Sequence, residues 1–254
     1  MFCPAMRYFI QLAYRGTQYH GWQRQLNALS VQEVLETALA TILREPVTLV
    51  GSGRTDTGVH ARQQYAHFET ERSIPPNLIH SLNKLIPDDV AVYDCFPVRA
   101  DCHARYTAQF RLYQYQIIRW KDPFRDGLAY VFTLPLNVER MNEAAERLLQ
   151  HQDFESFSKV KTDVNTFNCR IDFAYWEQKL NGDLTFHIRA NRFLRGMVRA
   201  IVGTLLAVGQ GRLSVPEFNL IIDAKDRNRA GRSVPAEGLS LVAVGYPPDV
   251  FSQQ

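Results

Sequence analysis

The stretch "SVQEVLETALATILREPVTLVGSGRTDTGVHARQQYAHFET" occupies residues 30–70. Ser30 and Glu33 form an S-x-x-E capping box, which starts a helix. Val31, Val34, Leu35, Ala38, Leu39 and Ile42 fall on one face of it, and Pro46 ends it. Residues 47–50 read as a short strand running into glycines. Residues 63–70 set Tyr65, His67 and Glu69 against Ala66, Phe68 and Thr70, the alternation of a second strand. The order is helix, strand, loop, strand.

Working outward, residues 6–14 read as a strand ending at Gly16. Pro75 and Pro76 open a helix through Leu78, Leu82 and Leu85, closed by Pro87. Residues 90–96 make a fourth strand. The first hundred residues therefore read β-α-β-β-α-β. The remainder repeats that order. Residues 111–119 form a strand with Tyr113, Tyr115 and Ile117 on one face. Residues 138–149 form a helix with Met141, Ala144, Ala145 and Leu148 as its stripe. Residues 170–177 and 184–190 pair around Asn181-Gly182-Asp183, a hairpin turn. Residues 193–208 form a helix, 216–224 an extra one, and 239–246 a closing strand. The expected fold class is α+β: two tandem ferredoxin-like units, residues 1–104 and 105–254, with antiparallel sheets and a cleft between them. No sequence identity is visible between the halves, so the repeat is one of topology.

The 254 residues, 46% of them hydrophobic, suffice for two modest cores. No stretch approaches the ~20 apolar residues of a membrane span. Residues 1–4 lack the charged start of a signal peptide. A soluble, cytoplasmic protein is the expectation. Cys3, Cys95, Cys102 and Cys169 are scattered and form no C-x-x-C pair, so reduced, mostly buried thiols are expected. A net charge of +3 permits a nucleic-acid partner without demanding one.

The glycine-framed loop fails the nucleotide templates. Asp56 holds the third glycine position of a dinucleotide fingerprint, and Val59-His60 stand where a Walker loop needs Lys-Ser/Thr. His60 and His67 match no ligand spacing, so no metal is expected. That leaves Arg54 and Asp56, which share a side in an extended loop. A neighbouring guanidinium keeps a carboxylate ionised, which suits a nucleophile or electrostatic stabiliser. On spacing alone, a plain loop salt bridge between strands is slightly the better reading.

Arg192, Arg195 and Arg199 are spaced i, i+3 and i+7. On a helix they would share a face beside Gly196 and Gly203, with Leu194, Val198, Ile201 and Leu205 as the buried stripe. An all-arginine face suits planar anions, although a solvated surface is the plainer alternative. Lys225, Arg227, Arg229 and Arg232 add basic residues nearby. Tyr113, Tyr115, Tyr19 and Trp22 are core aromatics or stacking platforms for an unpaired base.

Several segments resemble one family in collinear order. "GRTDTGVHA" (53–61) is similar to the signature of the tRNA pseudouridine synthase A family, which modifies the anticodon stem-loop. "GTQYHGWQRQ" (16–25), "SVQEVLE" (30–36), "LNKLIPDDVAV" (82–92), "HARYTAQFRLYQYQI" (103–117), "DFESFS" (153–158), "FLRGMVRAIVGTLL" (193–206) and "EGLSLVAVGY" (237–246) resemble further family segments. The resemblance implies isomerisation of uridine to pseudouridine without metal or cofactor. It also implies a homodimer with tRNA, not DNA or a membrane, as partner. Asp56 matches the family's catalytic aspartate, with Arg54 before it. Tyr113 matches its active-site tyrosine, and Arg199 the arginine that pairs with the aspartate. Following the family, Arg15, Arg24, Arg192, Arg195, Arg227 and Arg229 would line one RNA-binding groove of the dimer. Three departures concern substrate contacts: Arg15 replaces an acid, Gly196 replaces a bulkier ring, and Asn168-Cys169-Arg170 only loosely matches a Thr-Arg pair. A silent RNA-binding protein on this fold would be expected to lose Asp56 or Tyr113, and both are present. A phosphate-ester hydrolase would need a second carboxylate or metal cluster near Asp56.

Overall fold

The computed structural model describes residues 5–159 and 165–252. Cys3 and the N-terminal residues 1–4 lie outside that range. The chain forms a mixed α+β, mostly antiparallel fold divided into two compact units. One runs to Gln109 and resumes at Leu241; the other is Phe110–Ser240.

The N-terminal unit contains β1 (Met6–Tyr14), α1 (Val31–Leu43), β2 (Val50–Gly51), β3 (His60–Thr70), α2 (Leu78–Leu85) and β4 (Val90–Val98). The strand order is β4-β1-β3-β2, and each of these pairings is antiparallel. Ser30 caps α1 by accepting from the Glu33 amide, as its motif predicts. Val31, Leu35 and Leu39 are fully buried, each contributing about 1.5–3 kcal/mol. The helix ends at Leu43, and Arg44 caps it with a left-handed φ of 55°.

On β1, Phe9 faces His67 and Phe96 across the strands. Tyr246 covers that face, edge-on to Phe9 at 5.4 Å and to Tyr65 at 5.2 Å, while Phe251 lies 5.7 Å from Phe96. The Tyr246 hydroxyl donates to Ala104 O, and the Val244 amide donates to Gln63. Residues from Leu241 onward therefore belong with the N-terminal unit, not with the second unit where topology alone placed them. A ring cluster and buried hydrogen bonds outweigh sequence order here.

The second unit contains β5 (Phe110–Ile118), β6 (Tyr130–Val131), α3 (Val138–Arg147), β7 (Ile171–Gln178), β8 (Leu184–Ala190), α4 (Met197–Gly209) and α5 (Val215–Asp223). A last strand, β9 (Leu239–Gly245), begins in this unit and ends in the other. The order β5-β8-β7 is antiparallel, and β6 adds a short parallel pairing to β5. The hairpin turns at Gly182 with φ +82°, as Asn181-Gly182-Asp183 predicts. Tyr115, Ile117, Phe186 and Ile188 are fully buried. Asn142 of α3 clamps β7, accepting from the Trp176 amide at 2.6 Å and donating to its carbonyl at 3.1 Å.

Cys102 and Cys169 are buried free thiols and Cys95 is half-buried. Among the described residues, no helix is long and apolar enough to cross a membrane.

His67 gives this fold a pH signature. Its Nδ1 accepts the Ala104 amide at 3.1 Å, which requires an unprotonated nitrogen. Burial, then His103 and Arg7, push its pKa down to about 4, against a smaller opposing pull from Glu69. An unfolded chain protonates this ring near ~6.5. The neutral ring's contribution is therefore complete above about pH 6.5 and is lost as pH falls toward 4. His67→Gln is expected to flatten the fall in unfolding free energy across that window, measured by urea denaturation at a series of pH values.

Candidate active site

Asp56 sits half-buried in a loop whose backbone is held almost residue by residue. The Ser52 amide donates to Tyr65 O at 2.7 Å, and Gln64 Nε2 donates to Gly53 O at 3.0 Å. The Trp22 amide donates to Thr55 O, and Gly58 donates to Tyr19 O. Thr55 Oγ1 lies 2.9 Å from the Tyr14 hydroxyl. Val59 N closes the turn onto Asp56 O at 3.1 Å, with Gly58 at φ +78°. The Gly16 amide donates to His60 Nδ1 at 2.9 Å. Both histidines of β3 thus accept backbone amides.

The segment 16–22 is the brace for this loop. A Cβ on Gly16 would overlap Val59 O, and one on Gly21 would overlap Thr55 O. A Cβ on Gly51 would meet the Trp22 ring at 2.5 Å. Gly53, by contrast, has open space around the Cβ position. Tyr19 and Trp22 are 2% and 3% exposed, so they serve as bracing rather than as exposed stacking platforms. Burial, and then the hydrogen bond to Asp89, raise the Tyr19 phenol's pKa well above its ordinary value. This scaffolding role went unread in the sequence. Its signal was the pairing of Gly16 and Gly21 with neighbouring aromatics.

In the second unit, Tyr113 of β5 is buried at 9% exposure, more open than Tyr19 or Trp22, with its ring edge-on to Phe193 at 5.2 Å and 89°. Arg199 stands on α4, half-buried, and Nε donates to Val234 O at 2.7 Å. Val234 N returns a bond to Arg199 O at 3.2 Å. The Tyr115 hydroxyl donates to Pro235 O at 2.8 Å, and Gly231 N donates to Thr204 Oγ1 at 2.9 Å. Segment 231–235 is thereby laid across α4, which explains Gly203: a Cβ there would overlap Arg232 O. Gly203 makes room for protein backbone, not for a bound anion.

The expected arginine face on a helix from residue 193 is corrected. α4 begins at Met197 because Gly196, its N-cap, adopts φ +72°. That left-handed conformation breaks the helical run, so Arg192 and Arg195 precede α4 and only Arg199 lies on it. Arg15, Arg54, Arg195 and Arg229 are exposed, and Arg192 is half-buried. Arg24 faces the buried Glu36 at 3.3 Å and Glu33 at 3.8 Å. Arg227 donates to Ala230 O, Gly231 O and Ser233 Oγ of its own loop. Lys225 is paired with Asp153 at 2.8 Å.

The sequence model of the family described as tRNA pseudouridine synthase matches residues 11–107 and 144–247. A protein of Porphyromonas gingivalis named tRNA pseudouridine synthase A is 51% identical over 96% of this chain and 99% of its own length. One of Bacteroides thetaiotaomicron with the same name is 50% identical over 98% and 93%. One of Thermoanaerobacter sp., again with that name, is 40% identical over 93% and 98%.

Gly203→Ala separates intrinsic propensity from packing. In a free helix the change would gain ~1 kcal/mol. Here the added methyl displaces the Arg232 backbone, and overpacking costs ~1–3 kcal/mol. A net loss on the order of 1 kcal/mol is expected by denaturant titration.

Proposed function

Because the chain belongs to the tRNA pseudouridine synthase family, we propose that it isomerises uridine to pseudouridine in the anticodon stem-loop of tRNA. In this reading Asp56, Tyr113 and Arg199 serve the same target uridine. The observation that carries it is the braced loop 52–60, which presents Asp56 on a backbone fixed by hydrogen bonds.

The chemistry follows from the bond that breaks. Cleaving N1–C1′ builds positive charge at the ribose, and a carboxylate beside C1′ stabilises that charge, as in retaining glycosidases. A fixed backbone means little reorganisation when the charge develops. The detached uracil turns and rejoins through C5, C5 loses its proton, and N1 gains one. Every atom of the product comes from the uridine, and no electron is gained or lost. The base must leave its stack to be reached. Tyr113 offers a ring face for the flipped base and a hydroxyl for the C5 proton. Phe193 sets the plane of that ring. Arg199 supplies the cation that accompanies Asp56, with its Nε oriented by Val234, and Arg54 adds a second cation on the loop.

We further propose that each chain is two tandem ferredoxin-like units. The order β4-β1-β3-β2 is that of a complete β-α-β-β-α-β sheet, and β5-β8-β7 supplies the corresponding three strands. The enzyme acts as a homodimer on tRNA. Phosphate contacts are assigned to Arg15, Arg192, Arg195 and Arg229, whereas Arg24 and Arg227 hold their own loops.

Asp56→Asn keeps the side chain's size and removes its charge. Single-turnover pseudouridine formation is expected to fall on the order of 10²–10³-fold or more, with melting temperature and tRNA affinity near those of the parent. Residual activity within a few fold of the parent would remove Asp56 from the reaction. Tyr113→Phe is expected to keep tRNA affinity while losing at least about tenfold in rate. Tyr113→Leu should lose in addition ~1–3 kcal/mol of binding, read by filter binding. Equal, full activity in both variants would eliminate either role for Tyr113.

A further inference from the structure

The arm that braces the Asp56 loop continues into a hairpin with an apolar tip. His20 N donates to Leu29 O at 2.9 Å, Val31 N to Gly21 O, and Gln32 N to Trp22 O at 3.0 Å. Gln25 bridges Ala28, which leaves Leu26 and Asn27 as a two-residue turn. Gln25 Nε2 also donates back to His20 O at 2.8 Å. The tip is thus tied down on both arms. Yet Leu26 is fully exposed at 103%, and Leu29 is 50% exposed. The neighbouring Arg24 guanidinium is directed to Glu36, so the tip itself presents hydrocarbon rather than charge.

Position gives this apolar tip a use. Trp22 bonds directly to Thr55, the residue before Asp56. Leu26 is four residues further on, within about 14 Å of extended chain. A uridine that reaches Asp56 has left its stack, which costs free energy. Proteins that unstack bases commonly insert an apolar side chain such as Leu between base steps. A rigid turn is suited to this, because it does not spend the contact on ordering a loop.

We propose that Leu26 is a positioning residue, a wedge that enters the RNA stack beside the target uridine and holds the gap open while the base is at Asp56. This rests on the assignment of Asp56 to the reaction. Leu29 supports the wedge from the return arm, and the occupant of the patch is the RNA substrate itself.

The test compares two RNAs under single-turnover conditions: a transcribed tRNA, and the same tRNA with an abasic residue beside the target uridine. The second is already unstacked at that step. Leu26→Ser is expected to slow the first about tenfold and the second less than twofold, with Leu26→Met near the parent on both. A 2-aminopurine placed next to the target should brighten on binding the parent and stay dim with Leu26→Ser. An unchanged rate on the intact tRNA would overturn the wedge, and so would equal slowing on both RNAs. A parent protein inactive on both RNAs would overturn the functional reading and the wedge with it. An active parent with an unaffected variant overturns the wedge alone.

Discussion

The N-terminal unit depends on one kind of contact: backbone carbonyls of the Asp56 loop occupy space where side chains of segment 16–22 would stand. Thr55 O and Val59 O lie against Gly21 and Gly16, at distances no Cβ tolerates. Main chain packed on main chain removes conformational freedom from both segments at once, and fixing each residue costs roughly 1–2 kcal/mol of entropy. The hydrogen bonds that accompany the contact offset part of that. The brace extends to α1, because Val31 and Gln32 donate to Gly21 and Trp22. Glu36 then ties α1 to the approach of β2. It is buried, accepts from the Leu49 amide at 2.9 Å and from Gln32 at 2.8 Å, and faces Arg24. An unpaired carboxylate at that depth would be costly. This one accepts from Leu49 and Gln32 and faces Arg24, so helix, hairpin and the Asp56 loop share one polar network.

The second unit uses the same device. Gly203 lets segment 231–235 cross α4, and Gly238 lets the chain pass the Tyr115 ring. Arg199 and Tyr115 bond consecutive carbonyls of that segment, at Val234 and Pro235. A glycine inside a helix costs ~1 kcal/mol. Here it admits two part-buried hydrogen bonds to the Val234 and Pro235 carbonyls, each worth about 1 kcal/mol, and the first of them orients Arg199. In both units, glycine is where the backbone of one segment bears on another, and a charged side chain stands beside the contact.

Most elements were readable because their signals are local. The Ser30 cap, the prolines around α2 and the Asn181-Gly182 turn each act within a few residues. Elements failed where a distant partner or one dihedral decided the outcome. Gly196 looks like a tolerable helix interior, but its left-handed φ moves the start of α4 past Arg192 and Arg195. The tail after Leu241 follows ring packing on Phe9 and Tyr65, which no nearby pattern encodes. β6 is two residues long and pairs only because β5 lies beside it. Asp56 stands out as a candidate through its family signature rather than through physics, since Arg-x-Asp spacing also fits a surface ion pair. For Tyr19 and Trp22 the sequence leaves core packing and base stacking both open, and their burial decides for the core.

The arginines show why net charge says little about how RNA would be held. Arg7 is spent on Glu69 and the Cys102 carbonyl, Arg99 on Asp101 and Asp249, and Arg125 on Asp183. Arg189 lies between the rings of Phe110 and Phe173 while paired with Asp172. Each of these guanidiniums meets a carboxylate whose charge cancels its own at a Debye length of about 10 Å. The field a phosphate backbone would meet therefore comes from arginines placed apart from such partners, not from the overall +3. Arg15 and Arg54 are exposed within a few residues of the braced loop. Their positive charge is local to the loop that carries Asp56, so a phosphate approaching that loop would meet it first.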